Sequence, residues 1–188
     1  MLTISKSGLA EQTINKSRFI ALAFHCESER EIAQALRRLV TEHPQAHHLA
    51  FAYQLKTSGG ILQRMNDAGE PSGTAGRPIL QHIEGQKLVN VCVGVIRYYG
   101  GINLGTGGLA RAYGGTARLA IEAAELVPFV EMTEIQLVLE YSRLDLFNRD
   151  LAKAGGRLLD KSFDANVSVR ASVPRDAAED LLGRYQLR

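Results

Sequence analysis

The sequence predicts an α+β fold divided into two domains. Short segments rich in β-branched residues alternate with amphipathic segments of helical period along the 188 residues, a pattern typical of sheets covered by helices. The alternation stops at Pro128 and then starts again. We therefore predict a first domain at 1–128 and a second at 129–188, and the 45% hydrophobic content is enough to form their cores.

In the first domain, apolar runs predict strands at 16–24, 49–55, 61–66 and 91–96. Helical periodicity predicts helices at 29–42, 77–86 and 106–124. Residues 1–12 are polar with scattered apolar positions, so we expect no signal peptide there. No apolar run approaches the roughly 20 residues that cross a membrane, and we expect a cytoplasmic protein with no membrane partner.

In the second domain, the pattern predicts a strand at 131–140, a helix at 143–154, strands at 157–161 and 166–173, and a helix at 174–185. This β-α-β-β-α order is that of a ferredoxin-like split β-α-β unit. The last strand of such a unit is missing, because the sequence reaches residue 188 where that strand would begin.

The stretch 91–124 organises the first domain as a buried strand, a glycine-rich loop and a long helix. Thr106 is the expected N-cap of this helix. Its first turn contains no Asp or Glu, so its free N–H groups and the helix dipole predict an anion site there. Gly114 and Gly115 lie inside the helix, and we expect close packing on a neighbouring element at that point.

Charge and aromatic residues around this stretch indicate which anion it binds. The net charge is only +2, but no acidic residue occurs between positions 85 and 121. Arg111 has no acidic partner in sequence, whereas Arg118 is expected to pair with Glu122. Tyr98 and Tyr99 are candidates for stacking on bases, and because neighbouring strand residues face opposite ways, one of them is expected in the core. RNA phosphate is the natural anion for such a site.

Other chemistry is poorly supported by the sequence. The segment 105–110 matches the dinucleotide pattern G-x-G-x-x-A but lacks the tight strand-to-helix turn and the distant acid. Pro44 breaks any helical pairing among three nearby histidines, so no metal site is predicted. Asp67 and Glu70 form a candidate carboxylate pair, although such acids more often cap turns or pair with an arginine such as Arg77. The two cysteines are expected to be buried free thiols: Cys26 and Cys92.

Two stretches resemble the signature of the IMPACT/YigZ family: 66–78 (NDAGEPSGTAGRP) and 97–113 (RYYGGINLGTGGLARAY). The resemblance covers essentially the whole chain. It implies a first domain similar to domain 2 of ribosomal protein S5 and a ferredoxin-like second domain, together similar to domains IV and V of elongation factor G. Eukaryotic relatives restrain the amino-acid-starvation kinase of translation initiation. That role does not carry over, and a role in nucleic-acid or ribosome binding remains.

These observations lead to one hypothesis and two alternatives. We predict a non-enzymatic protein linked to regulation of translation, with RNA or the ribosome as partner and without cofactor, metal or catalytic residue. The contact is predicted to consist of Arg77, Arg97, Tyr98, Tyr99, Gly105, Thr106, Gly107, Gly108 and Arg111, with Asp67 and Glu70 in the loop beside it. The alternatives are a small-molecule phosphotransferase, with Asp67 or Glu70 as base, and a protein-interaction module.

Overall fold

The computed structural model describes residues 1–187. It divides into two compact units, the first from Met1 to Phe129 and the second beginning at Val130. The division lies one residue from the boundary predicted at Pro128. Each unit has its own hydrophobic core.

The first unit is built on a five-stranded antiparallel sheet and a separate two-stranded sheet. The elements run β1 (Leu2–Lys6), β2 (Gly8–Ile14), β3 (Ser17–His25), α1 (Glu29–Glu42), β4 (His48–Thr57), β5 (Gly60–Asn66), α2 (Gly76–Gly85), β6 (Val91–Tyr98), α3 (Gly105–Ala123) and β7 (Glu125–Pro128). The larger sheet has the order β2-β3-β6-β4-β5, so the buried strand predicted at 91–96 is its central strand, and the smaller sheet pairs β1 with β7.

Helices cover both faces of this sheet, which explains why β6 is apolar at nearly every position. On one face α2 and α3 pack against residues such as Phe19, Val93 and Val95. On the other face α1 packs against residues such as Ile20 and Ile96. A strand buried on both faces has no solvent side on which polar residues are favoured.

Three strands of this unit were not predicted: β1, β2 and β7. In β2, an edge strand, buried or half-buried positions alternate with exposed ones, and three of its seven residues are polar, so it lacks an apolar run. β1 and β7 are short, with 5 and 4 residues. They are held by their pairing with each other across the whole unit, which local sequence does not reveal.

The packing predicted around the two helix glycines is confirmed for Gly114. A Cβ atom there would lie 3.3 Å from both Pro78 Cβ and His82 Nε2, so α2 packs directly on the backbone of α3. At Gly115 the nearest atom, Gln12 Nε2, is at an ordinary 3.5 Å. Only the first glycine is therefore required by the helix contact.

The second unit has the predicted order of elements. They are β8 (Met132–Leu139), a 3₁₀ turn (Tyr141–Arg143), α4 (Leu144–Lys153), β9 (Arg157–Phe163), β10 (Val167–Pro174), a second 3₁₀ turn (Arg175–Ala177) and α5 (Ala178–Tyr185). The antiparallel sheet has the order β8-β10-β9. The helix predicted from Pro174 begins at Ala178 instead, because Pro174 still pairs with Met132 in the sheet. Beyond α5, the Leu187 N–H donates to the Val138 carbonyl over 2.8 Å.

Both cysteines are buried free thiols, as predicted. Burial raises the pKa of Cys26 to about 12 and raises that of Cys92 as well. Within residues 1–187, no helix has both the length and the apolar character needed to cross a membrane. The same residues contain no cluster of three or more His, Cys, Asp or Glu side chains suited to a metal ion.

Candidate anion-binding cleft

A cleft of about 510 Å³ opens in the first unit beside the N-terminus of α3. Gly105 and Thr106 of the first helical turn line it, together with Tyr99, the residue that follows β6. The start of β4 and the loop between β5 and α2 contribute His48 and Glu70 to the same lining. The glycine-rich loop and the acidic loop of the sequence therefore meet at one site.

The first turn of α3 is open to solvent. The helix begins at Gly105, whose φ of +68° suits glycine, and Leu104 occupies the N-cap position without a side-chain hydrogen bond. Thr106 is thus not the predicted N-cap but an exposed residue of the first turn. That turn contains no acidic residue. Within residues 1–187, no carboxylate accepts a hydrogen bond from this helix end, and its N–H groups remain available to an anion.

Arg111 is the cation nearest to this turn in sequence. Its side chain is exposed and forms no ion pair with any residue that the structure describes. Its Nη1 atom lies 3.4 Å from the position that a Cβ of Gly107 would occupy. By contrast, Arg118 pairs with Glu122 over 2.6 Å, as predicted. Of the two arginines, only Arg111 therefore has its charge free beside the helix end.

Glu70 and Arg97 form a buried ion pair at the cleft. Arg97 Nη1 and the Tyr113 hydroxyl both donate to Glu70 Oε1 over 2.7 Å, and the Glu70 and Arg97 side chains are each only 5% exposed. His48 Nε2 lies 3.8 Å from the same oxygen. Burial, followed by the hydrogen bond to Glu70, raises the pKa of Tyr113 well above its usual range.

Arg97 differs most from its predicted role as a phosphate ligand. Besides the ion pair, its guanidinium lies 5.2 Å from the centre of the Tyr99 ring and contacts the Ser17 hydroxyl over 3.4 Å. Its Nε is fully buried without a hydrogen-bond partner among the described residues. The charge of Arg97 is compensated by its buried ion pair with Glu70. We therefore do not include Arg97 among the proposed phosphate contacts.

The side chains of the two tyrosines point to opposite sides of the chain at the end of β6, as predicted from their adjacency. The Tyr98 hydroxyl bonds to His43 Nδ1 over 2.8 Å, and its ring packs on the α1 side, away from the cleft. Tyr99 is 40% exposed and lines the cleft. Its hydroxyl donates to Asn103 Oδ1 over 3.1 Å. Only Tyr99 is placed to stack on a base here.

Asp67 has a structural role distinct from that of Glu70. Its carboxylate accepts backbone N–H bonds from Gly73, Ala75 and Gly76 over 2.7–3.0 Å. Burial alone would raise the pKa of Asp67, but the three N–H donors outweigh it and hold the pKa below its ordinary value. Asp67 therefore caps the entry to α2, as acids in turns commonly do. Arg77 lies outside the cleft lining, and its nearest ion-pair partner is Glu84 at 4.0 Å.

Sequence reasoning missed three residues at this site. His48 donates from Nδ1 to the Ala68 carbonyl over 2.9 Å and so fixes the acidic loop. Asn103 positions Tyr99, and Tyr113 positions Glu70. Tyr113 lies on the apolar stripe of α3, and this position predicts a core residue. No local sequence pattern indicates that its hydroxyl donates to a carboxylate.

Comparison with known sequences places these elements in a family. The sequence model of the Impact N-terminal domain matches residues 15–121, a range that contains all of the cleft residues. The chain belongs to the IMPACT family. An IMPACT family member of Haemophilus influenzae is 36% identical over 90% of this chain and 82% of its own length. The IMPACT family member YigZ of Escherichia coli is 34% identical over 87% of this chain and 80% of its own length.

A solved structure shares the fold of this IMPACT family chain. It is the crystal structure of a hypothetical protein, 30% identical in sequence, and the match covers 97% of this chain and 89% of the other with a TM-score of 0.73. The match extends over both units, so the mixed architecture of helices and antiparallel sheets described above is shared with an experimentally determined structure.

Proposed function

We propose that this IMPACT family protein is a non-enzymatic cytoplasmic protein that binds RNA, free or in the ribosome, and takes part in regulating translation. The observation that carries the proposal is the uncapped, acid-free first turn of the 19-residue helix α3, exposed at a cleft. The link to translation rests on family resemblance alone.

Two features of the cleft support phosphate as the anion. The N–H groups of the first helical turn donate to phosphate oxygens, and the helix dipole favours negative charge at that end. Beside the cleft, Arg111 forms no ion pair with residues 1–187 and adds a cation one turn further along the helix. Backbone N–H groups and arginine side chains are the groups with which proteins commonly position a nucleic-acid backbone.

The size and lining of the cleft support a single-stranded ligand. A volume of about 510 Å³ is in the range of roughly 300–1,000 Å³ found for pockets that hold small ligands, and so accommodates about one nucleotide. The exposed Tyr99 ring at its edge offers a stacking surface to a base that is not paired. A duplex would present neither a free base nor a single accessible nucleotide.

A charge placed in the first turn of α3 tests the proposal. We expect Thr106→Glu to weaken binding of a short single-stranded RNA on the order of 10-fold, because the carboxylate occupies the anion site and repels phosphate. The same change should stabilise the protein by about 0.3–1 kcal/mol through the helix dipole. Fluorescence anisotropy measures the affinity, and urea unfolding measures the stability.

The control variant is Thr106→Gln, whose side chain is about as large as that of Glu but carries no charge, and it should bind RNA as the wild type does.

Arg111→Ala tests the arginine separately. It should reduce the slope of log affinity against log salt concentration by about 0.7, the value for one phosphate contact in a single strand. Arg118→Ala, the same change at an arginine that is already paired, should leave that slope unchanged. Full RNA affinity and an unchanged salt slope in Thr106→Glu and Arg111→Ala would contradict the proposal.

One observation favours a second candidate, a small-molecule phosphotransferase. Glu70 is a buried carboxylate at a cleft that also contains a helix N-terminus, and Glu70 would act as the base. Asp67 is excluded from that role because its carboxylate already accepts three N–H bonds. Stabilisation by ATP or GTP in a thermal-shift assay, without stabilisation by RNA, would favour this candidate. A partner that survives nuclease treatment in a pull-down would instead indicate a protein-interaction surface.

We further propose that the first unit is similar to domain 2 of ribosomal protein S5 and that the second is ferredoxin-like, as in domains IV and V of elongation factor G. The sheet order β8-β10-β9 and the β-α-β-β-α sequence of elements support the second assignment. Superposition of each unit separately on those domains tests both assignments.

A further inference from the structure

We infer that the cleft selects RNA over DNA, with the Glu70 carboxylate accepting a hydrogen bond from a ribose 2′-hydroxyl. The inference rests on the proposed RNA binding and adds which nucleic acid is bound and which group of the ligand is recognised. Glu70 lines the same cleft as the open first turn of α3.

The two oxygens of Glu70 have different surroundings. Oε1 accepts both internal hydrogen bonds, from Arg97 and from Tyr113. Oε2 accepts no hydrogen bond from residues 1–187. It is also not fully buried, because among the side chains of these residues only Arg97 Nε is both fully buried and without a hydrogen-bond partner. Glu70, a cleft-lining side chain that is only 5% exposed, thus keeps one oxygen with free acceptor capacity.

An ionised carboxylate accepts hydrogen bonds and cannot donate them, so its partner must carry a donor. Within an RNA backbone the donor is the 2′-hydroxyl, which DNA lacks. The 2′-hydroxyl is attached to the carbon next to the one that bears the 3′-phosphate. A nucleotide whose phosphate sits at the first turn of α3 therefore carries a donor close to that phosphate.

The charge of Glu70 does not prevent phosphate from binding nearby. Its carboxylate is paired at 2.7 Å with the Arg97 guanidinium, so the pair as a whole is neutral. The nearest free cation to the first turn of α3 in sequence, Arg111, and the N–H groups of the turn itself then dominate the field on the phosphate. Anion binding at the helix end and acceptance of a hydroxyl at Glu70 are compatible within one cleft.

A ligand series on the wild-type protein tests the inference without any folding change. Four oligonucleotides of one sequence and length are compared by anisotropy: RNA, 2′-fluoro RNA, 2′-O-methyl RNA and DNA. The 2′-fluoro form matters most, because it keeps the ribose pucker of RNA and lacks the donor. We expect RNA to bind about 10-fold or more tightly than each of the other three, the effect of one hydrogen bond to a charged group.

Glu70→Gln then assigns the effect to this residue. The amide keeps the shape of the side chain, and we expect the preference for RNA over 2′-fluoro RNA to fall to within about 2-fold. The matched control, Glu122→Gln, removes a charge elsewhere on α3 and should keep the full preference. If Glu70→Gln fails to fold, as judged by circular dichroism, the ligand series alone decides.

The outcomes separate this inference from the proposed function. Equal binding of RNA and 2′-fluoro RNA by the wild type overturns the inference and leaves RNA binding intact. An undiminished preference in folded Glu70→Gln also overturns it. Absence of binding to all four oligonucleotides overturns both.

Discussion

Among single residues, the two carboxylates of the loop between β5 and α2 illustrate how environment divides similar side chains into different roles. Asp67 is satisfied by three backbone N–H donors and fixes the loop. Glu70 lies three residues later, is held by Arg97 and Tyr113, and faces the cleft. The loop conformation set by the first carboxylate determines where the second one points.

We expect Asp67→Asn to lower the free energy of unfolding by about 1–3 kcal/mol at pH 7, because the Asn Nδ2 group would face an N–H donor that it cannot satisfy. The folded-state pKa of Asp67 is depressed, so its stabilisation is present above the unfolded pKa, roughly 3.9. That stabilisation disappears as the pH falls through the folded value. Urea unfolding of both proteins between pH 7 and pH 3 measures the difference.

The matched control is Glu42→Gln, an exposed acid of the same unit that forms no ion pair with the described residues. It should leave stability nearly unchanged across this range. A difference between wild type and Asp67→Asn that persists undiminished at pH 3 would show that the carboxylate charge is not what stabilises the loop.

The roles of individual residues were only partly predictable from sequence. The capping role of acids in the 66–76 loop follows from turn chemistry, and the Arg118–Glu122 pair follows from helix spacing. The burial of Arg97 does not follow, because its partner Glu70 is 27 residues away. Strand-end arginines are usually solvated, and only the folded chain shows that a carboxylate and two aromatic rings surround this one.

At the level of elements, α3 has two different glycine environments. At its N-terminus Gly105 lines the cleft, and a Cβ atom there would meet no atom within 4 Å. In its middle, Gly114 allows α2 to approach, with Pro78 and His82 at 3.3 Å from the position of a Cβ. The same residue type therefore supports ligand access at one end of the helix and close helix packing in the middle.

Alanine substitution at the neighbouring glycines of α3 should have different effects on stability. Gly115→Ala should raise stability by about 0.5–1 kcal/mol, because alanine favours the helix and its Cβ meets only an ordinary contact. Gly114→Ala gains the same helix propensity but must displace α2 slightly, and overpacking costs about 1–3 kcal/mol. We expect it to be neutral or destabilising in urea unfolding. An equal gain at both positions would mean that α2 does not pack as described.

Elements with strong periodicity were predictable, and those that depend on distant pairing were not. α1, α3 and β6 have long apolar stripes or runs, and their positions agree with the prediction. β1 and β7 are stabilised by pairing between the two ends of the first unit. Pairing between strands that lie so far apart in sequence cannot be predicted from a short window of residues.

At the level of the whole molecule, the cleft is formed entirely within the first unit. All of its lining residues lie between His47 and Leu109, and the unit closes on itself because β7 returns to pair with β1. The core of the first unit and that of the second share no residues. The proposed binding site and the architecture that supports it therefore belong to the first 129 residues.

A fragment ending at Phe129 should fold and bind RNA with an affinity within about 2-fold of the full chain, because it retains both β1 and β7 and a complete core. A second fragment ending at Ala124 serves as the control. It lacks β7 and should be markedly less stable, since β1 then loses its pairing partner. Circular dichroism and anisotropy measure folding and binding. A folded first fragment without RNA affinity would show that the second unit contributes to the site.

The burial of both native thiols makes the chain suitable for selective fluorescent labelling. Cys26 and Cys92 are inaccessible, and with their raised pKa values they form little of the thiolate that reacts with maleimides. Ile102 is exposed in the loop that leads into α3. An Ile102→Cys variant would therefore accept a dye at one position beside the cleft, without removal of either native cysteine, and its emission would report directly when the cleft is occupied.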